Sequence, residues 1–135
     1  MDIQQAVVTC MRKYFTFSGR AGRWEFWWFF FNFAVIVVFY NFLAIHYFLE
    51  PLMSAIYDHD TGSIIFFGIL YNLPLLVLIT PFTAVTTRRL HDVGKSGWWQ
   101  LIDLIPWIGL ILILVWCAFK TKPEGDKYGE APAET

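Results

Sequence analysis

Charge is what this sequence has least of. Only 16% of its 135 residues are Asp, Glu, Lys or Arg, against roughly 25% in an ordinary soluble domain. The 10 basic and 11 acidic side chains nearly cancel, to a formal net charge of −1, so no overall field recruits nucleic acid. Cysteine is equally scarce: Cys10 and Cys117 stand near opposite ends and form neither metal nor redox spacing. His46, His59 and His91 are too dispersed for a zinc site. No phosphate-cradling glycine loop and no nucleophile elbow is present. These absences leave no sequence case for a metal or a cofactor, and the length suits one domain rather than a multi-domain enzyme.

Apolar residues fill the space that charge leaves. They make up 57% of the chain, and 14 Phe with 7 Trp raise the aromatic share to 20%. A soluble chain of this size could not bury them all. A bilayer core about 30 Å thick asks for about 20 apolar residues in helix. Three runs qualify: residues 26–49, residues 63–85 with Pro74 and Pro81, and residues 98–119 with Gln100, Asp103 and Pro106 in the first half. The expected fold is an all-α membrane protein with three transmembrane helices kinked at the prolines. A short amphipathic interfacial helix over residues 1–16 precedes them, with Ile3, Val7, Cys10, Met11 and Tyr14 at helical spacing. The first apolar run is too long, and lacks the small-residue site, for a cleavable signal peptide. Residues 120–135 read as a flexible tail.

Orientation follows from the cations. Arg12, Lys13, Arg20 and Arg23 precede the first run, and Arg88, Arg89 and Lys95 separate the second from the third. The 50–62 connection has no Lys or Arg. Excess Lys/Arg marks the cytoplasmic side, so the N-terminus is expected inside. Three spans then put Lys120, Lys122 and Lys127 outside, against that rule. The rival reading turns the chain back at Pro106–Gly109, as a re-entrant segment, and returns the tail to the cytoplasm.

Two segments echo each other. Gly19-Arg20-Ala21-Gly22 and Gly94-Lys95-Ser96-Gly97 each stand just before interfacial tryptophans. Glycine permits a tight turn near headgroups, the cation suits lipid phosphate, and Trp anchors at the interface. The larger motifs around them, Phe17-Ser18-Gly19-Arg20-Ala21-Gly22-Arg23-Trp24-Glu25-Phe26-Trp27 and Arg88-Arg89-Leu90-His91-Asp92-Val93-Gly94-Lys95-Ser96-Gly97-Trp98-Trp99, resemble signatures of the small bacterial inner-membrane proteins of the YhaH/YhaI type. Ile105-Pro106 with Gly109, and Gly125-Asp126-Lys127-Tyr128-Gly129, continue the resemblance in the same order. It departs at Asp126, where that family usually carries Asn, and at Lys122, where it has Gly. The resemblance implies a multi-pass bacterial inner-membrane protein and no established activity.

Two groups of side chains stand out as candidate sites. Arg20, Arg23, Arg88, Arg89 and Lys95 form a basic rim suited to anionic lipid headgroups or to a partner, either another membrane protein or a second copy of the chain. Glu25, Asn32, Thr80, Thr83, His91, Asp92, Gln100 and Asp103 fall in the same third of the membrane and would make a polar vestibule. Asp103 is expected to face the bundle and pair with Arg88 or Arg89. Arg88 and Asp92, four apart, are spaced to pair, and Glu25 suits an ion pair joining two loops. The leading expectation is a non-enzymatic protein. The alternatives are a small oligomeric transporter or channel using Asp103, and an enzyme acting on lipid headgroups through His91 and Asp92.

Overall fold

Asp2 begins the first helix, α1 (Ile3–Arg12), as a capping box: its carboxylate accepts from the Gln5 backbone, and the Gln5 side chain accepts in return from Asp2 N–H. Two long helices follow, α2 (Arg23–Tyr57) and α3 (Thr61–Asp92). Asp60 caps α3, accepting from Gly62 N at 3.1 Å, Ser63 N at 3.3 Å and Ser63 Oγ at 2.6 Å. A 3₁₀ helix (Gly97–Leu104), the short α4 (Ile108–Ala118) and a second 3₁₀ helix (Pro123–Tyr128) complete the order. This computed structural model describes residues 2–132; Met1 of the expected interfacial helix and residues 133–135 of the expected tail lie outside the described residues. No strand occurs among the described residues.

The chain forms two compact units, Asn32–Ile79 and the pair of segments Met1–Phe31 with Thr80–Thr135. In the first, the hairpin unit, α2 and α3 are joined by a three-residue turn. Tyr40 Oη donates to the Tyr71 carbonyl at 2.8 Å, and Tyr71 Oη donates to Asn41 Oδ1 at 2.8 Å. Phe48 and Phe67 meet edge to face at 6.5 Å. The outward faces are apolar and open, with Val38 and Phe42 each 70% exposed. Water does not stabilise so continuous an apolar surface, whereas lipid does. Both helices are long and apolar enough to cross a membrane.

The second, the terminal unit, holds most of the buried core: Ala6, Cys10, Ala21, Phe26, Ala84, Val85 and Leu90 are fully enclosed. Burying a side chain such as Phe26 contributes about 1.5–3 kcal/mol. Here the expected third span takes another form. The 98–119 run is not one helix but a 3₁₀ helix and α4, broken at Pro106 and Trp107. Trp107, the N-cap of α4, takes φ 66 and ψ −49, a backbone conformation through which no helix can run. The two pieces then fold against each other. Trp99 meets Trp116 edge to face at 5.3 Å, and Lys95 Nζ lies 4.1 Å from the Trp116 ring. A Cβ on Gly109 would lie 2.1 Å from the Ile102 carbonyl oxygen, so only glycine fits this close approach. The eleven residues of α4 reach about 16 Å, half a hydrocarbon core. The tail also differs from expectation. Residues 119–129 return to the segment around Arg20 and are fastened there, for reasons given below.

Candidate functional site

The last two turns of α3 are buried except at His91. Arg88 is 1% exposed, and Arg89 and Asp92 are 0%. Charges are tolerated in such a place only where each finds partners. Asp92 supplies most of them. Its Oδ1 accepts from Arg20 Nε at 2.9 Å, and its Oδ2 accepts from Arg89 Nη1 and from Thr121 Oγ1, the latter at 2.8 Å. Its backbone carbonyl accepts from Lys122 N at 3.0 Å.

The two arginines use their remaining N–H groups to gather the chain. Arg20 Nη1 pairs with Asp126 Oδ1 at 2.6 Å, and Arg20 Nη2 donates to the Lys122 carbonyl at 3.1 Å. Arg89 donates to the carbonyls of Cys117 at 3.0 Å, Ala21 at 3.2 Å and Phe119. The planar guanidinium, with five donors in fixed directions, suits this multipoint role where lysine would not. Ala21 N donates to the Arg88 carbonyl at 3.1 Å, closing the loop against α3. Gly125 sits where a Cβ would lie 2.6 Å from the His91 carbonyl oxygen, which lets the tail approach this closely.

Arg88 points elsewhere. Its Nη1 pairs with Glu25 Oε1 at 2.5 Å, and the Cys10 thiol lies 3.9 Å from the same oxygen. Nε and Nη2 of Arg88 are buried and, among the described residues, have no hydrogen-bond partner. Burial, and the neighbouring Glu25 carboxylate, push the Cys10 thiol up to about 12. The i, i+4 pairing expected of Arg88 with Asp92 is replaced by Arg89–Asp92 at i, i+3, which frees Arg88 for Glu25.

His91 does not share a proton with Asp92. Its Nδ1 stands 3.1 Å from the Gly19 carbonyl, which only accepts, so that nitrogen carries hydrogen. The ring stacks on Tyr128, with centroids 3.9 Å apart and planes 6° from parallel. Desolvation holds its pKa below the ordinary 6.5. His91 and Tyr128, with Phe17, Thr87, Trp98 and Gln100, line a mainly apolar cleft of about 590 Å³.

Of the basic rim, Arg20, Arg88 and Arg89 are inside the fold. Three guanidiniums are matched there by three carboxylates, Glu25, Asp92 and Asp126. Arg23 and Lys95 are half-buried, and Lys95 is engaged with Trp99 and Trp116. Of the vestibule, Gln100 Nε2 donates to the Thr83 carbonyl at 3.2 Å and to Thr87 Oγ1, while Thr83 Oγ1 donates to the Thr80 carbonyl. Asn32 belongs to the hairpin unit. Asp103 is exposed and, among the described residues, pairs with no arginine. The expected pairing fails because the 3₁₀ turn carries Asp103 outward while Arg88 and Arg89 are buried, paired with Glu25 and Asp92. Sequence reasoning gave Asp126, Thr121, Tyr128 and Cys10 no role in this cluster. The glycine-bounded motif around Asp126 was the available signal.

A helical protein with two open apolar helices, each long and apolar enough to cross a bilayer, has the make-up of a membrane protein. The family model described as "Protein of unknown function (DUF805)" matches residues 14–130, and the chain belongs to that family. It is 32% identical over 122 residues to the Escherichia coli (strain K12) protein "Inner membrane protein YhaH", covering 90% of this chain and 91% of that one. It is 30% identical over 129 residues to "Inner membrane protein YhaI" of the same strain, covering 95% of each. "Uncharacterized protein YiiR" is 29% identical over 102 residues, 75% of this chain and 58% of that protein. No solved structure gives a significant match. The protein is a bacterial inner-membrane protein whose relatives have no assigned activity.

Proposed function

We propose that this chain is a non-enzymatic inner-membrane protein that crosses the bilayer twice, through α2 and α3. On this reading the 97–118 hairpin dips in and returns on the same side, and the terminal unit is a cytoplasmic headpiece that rests on anionic lipid. One observation carries the reading. All ten basic residues, Arg12, Lys13, Arg20, Arg23, Arg88, Arg89, Lys95, Lys120, Lys122 and Lys127, belong to the terminal unit, and the hairpin unit has none. Two crossings put every cation on the cytoplasmic side, and so remove the three outside lysines that three spans required.

The ion-paired cluster supports this topology, because Arg20 and the tail residues it binds must share one side. The 97–118 hairpin offers lipid an apolar tip, with Leu104 80% and Trp107 79% exposed. Lipid attraction then comes from cations outside the cluster. Arg12, Lys13, Lys120, Lys122 and Lys127 are exposed, and α1 adds exposed Ile3, Val8 and Met11. Each such cation contributes about 1 kcal/mol near an anionic surface.

Reporter fusions at residue 59 and after residue 132 test the topology: the first should be periplasmic and the second cytoplasmic. A periplasmic tail would overturn it. Lipid retention tests the surface: replacing Arg12, Lys13, Lys120 and Lys122 with Gln should reduce co-purified anionic lipid. Unchanged lipid in a folded variant would remove the headpiece from the lipid-binding role.

A further inference from the structure

Asn72 stands eleven residues past Thr61 in α3, about 16 Å along the helix. If α3 crosses the bilayer, as proposed above, that depth is close to the midplane of a core about 30 Å thick. The side chain is exposed, on the outer surface of the hairpin unit. Its Nδ2 donates one hydrogen to the Gly68 carbonyl at 2.8 Å. The second N–H and Oδ1 have no partner among the described residues. Asn41, the other Asn well inside this pair of helices, behaves differently: Tyr71 of the facing helix donates to its Oδ1.

In water an open amide is unremarkable. In hydrocarbon it is costly, because lipid tails offer neither donor nor acceptor. The missing partner must carry both an acceptor and a donor at the same depth. A second copy of the chain in the same membrane presents that pair at that depth, since an amide is complementary to itself across a twofold axis. The backbone there also permits close approach. Gly68, one turn before Asn72, has nothing within 4 Å of where a Cβ would lie. Ile65, Ile69 and Leu76 share this face at helical spacing and are 57%, 61% and 62% exposed. A small residue flanked by large apolar ones, beside one polar side chain, is the composition of packed helix pairs in membranes.

We propose that this face of α3 is the interface between two copies of this chain, with α3 packed on α3 and the two Asn72 amides exchanging hydrogen bonds. The test uses the full chain in lipid vesicles. Asn72→Leu should weaken self-association, measured by energy transfer between labelled copies, roughly 3- to 20-fold, and Asn72→Gln should restore most of it. Association as tight in Asn72→Leu as in the wild type, or a wild type that stays monomeric at high protein-to-lipid ratio, overturns the interface. Should the Leu variant fail to accumulate, Asn72→Cys decides, because Cys10 and Cys117 are buried. It should form a disulfide dimer under mild oxidation, whereas Leu73→Cys, turned about 100° away, should not. Equal cross-linking at both positions, or at neither, overturns the proposal. Labelling of Asn72→Cys by a membrane-impermeant maleimide in intact vesicles would instead sink the spanning reading, so the two failures are distinct.

Discussion

Arg20 and Asp92 are 72 residues apart in sequence and 2.9 Å apart in space, both nearly without solvent. The carboxylate between Arg20 and Arg89 ties the N-terminal loop, the end of α3 and the tail together. Most of its value lies in what its loss would leave behind.

Asp92→Leu removes the buried carboxylate that Arg20 and Arg89 share, leaving Arg20 with Asp126 and Arg89 with backbone carbonyls. Removing one partner of a buried pair costs about 3–5 kcal/mol, and thermal unfolding in detergent should show a loss at least that large. Asp92→Asn keeps one acceptor and should fall between Leu and wild type. A Leu variant as stable as wild type would show that the cluster contributes nothing to the fold.

Gly109→Ala places a methyl group 2.1 Å from the Ile102 carbonyl. Overpacking of that kind costs about 1–3 kcal/mol, and the hairpin should open. Protease cleavage between residues 97 and 118 should accelerate in the variant. Gly62→Ala, whose Cβ would meet only Asp60 Oδ1 at 3.4 Å, serves as the mild comparison.

His91 gives stability a pH dependence with a definite sign. Its folded pKa is below 6.5 because burial disfavours the imidazolium. Under acid the unfolded chain therefore binds more protons than the folded one, and stability decreases as pH falls through 6.5 towards the folded value. Unfolding of the wild type at pH 7.5 and 5.5 should show this loss, and His91→Phe, which retains an aromatic ring against Tyr128, should lack that component. An identical pH response in both proteins would contradict it.

Cys10, buried on α1 beside Glu25 with its thiol pushed up to about 12, holds almost no thiolate at pH 8. Maleimide labelling of the native protein should be slow and should become fast only on unfolding. Glu25→Gln removes a carboxylate that raises the thiol's pKa, so the reaction in the folded variant should be faster than in wild type.

The two long helices were legible in the sequence because continuous apolar runs of more than 20 residues have few other uses. The third run has the same composition and a different outcome. What redirects it is local: Pro106, a Trp107 at positive φ and a glycine whose missing Cβ admits the Ile102 carbonyl. Composition does not encode that contact. The arginines were legible as a cluster and Glu25 as an ion-pair partner, but the pairing pattern was not. Arg20 and Arg89 find their acceptors in backbone carbonyls at 117, 119 and 122, and no spacing rule reveals those. Asp103 shows the opposite error: a carboxylate inside an apolar run looked buried, and a 3₁₀ turn carried it to the surface.

The cluster also fixes the order in which this protein is finished. Arg20 leaves the ribosome 109 residues before the Gly129 carbonyl that it reaches at 3.5 Å. The hairpin helices are complete long before then and have all the residues they need. The terminal unit does not, and until residues 117–129 have been made its guanidiniums lack most of their acceptors. A chain stopped short of that segment would hold a terminal unit whose Arg20 and Arg89 lack those acceptors, and a protease should cut it faster than the chain that carries residues 117–129.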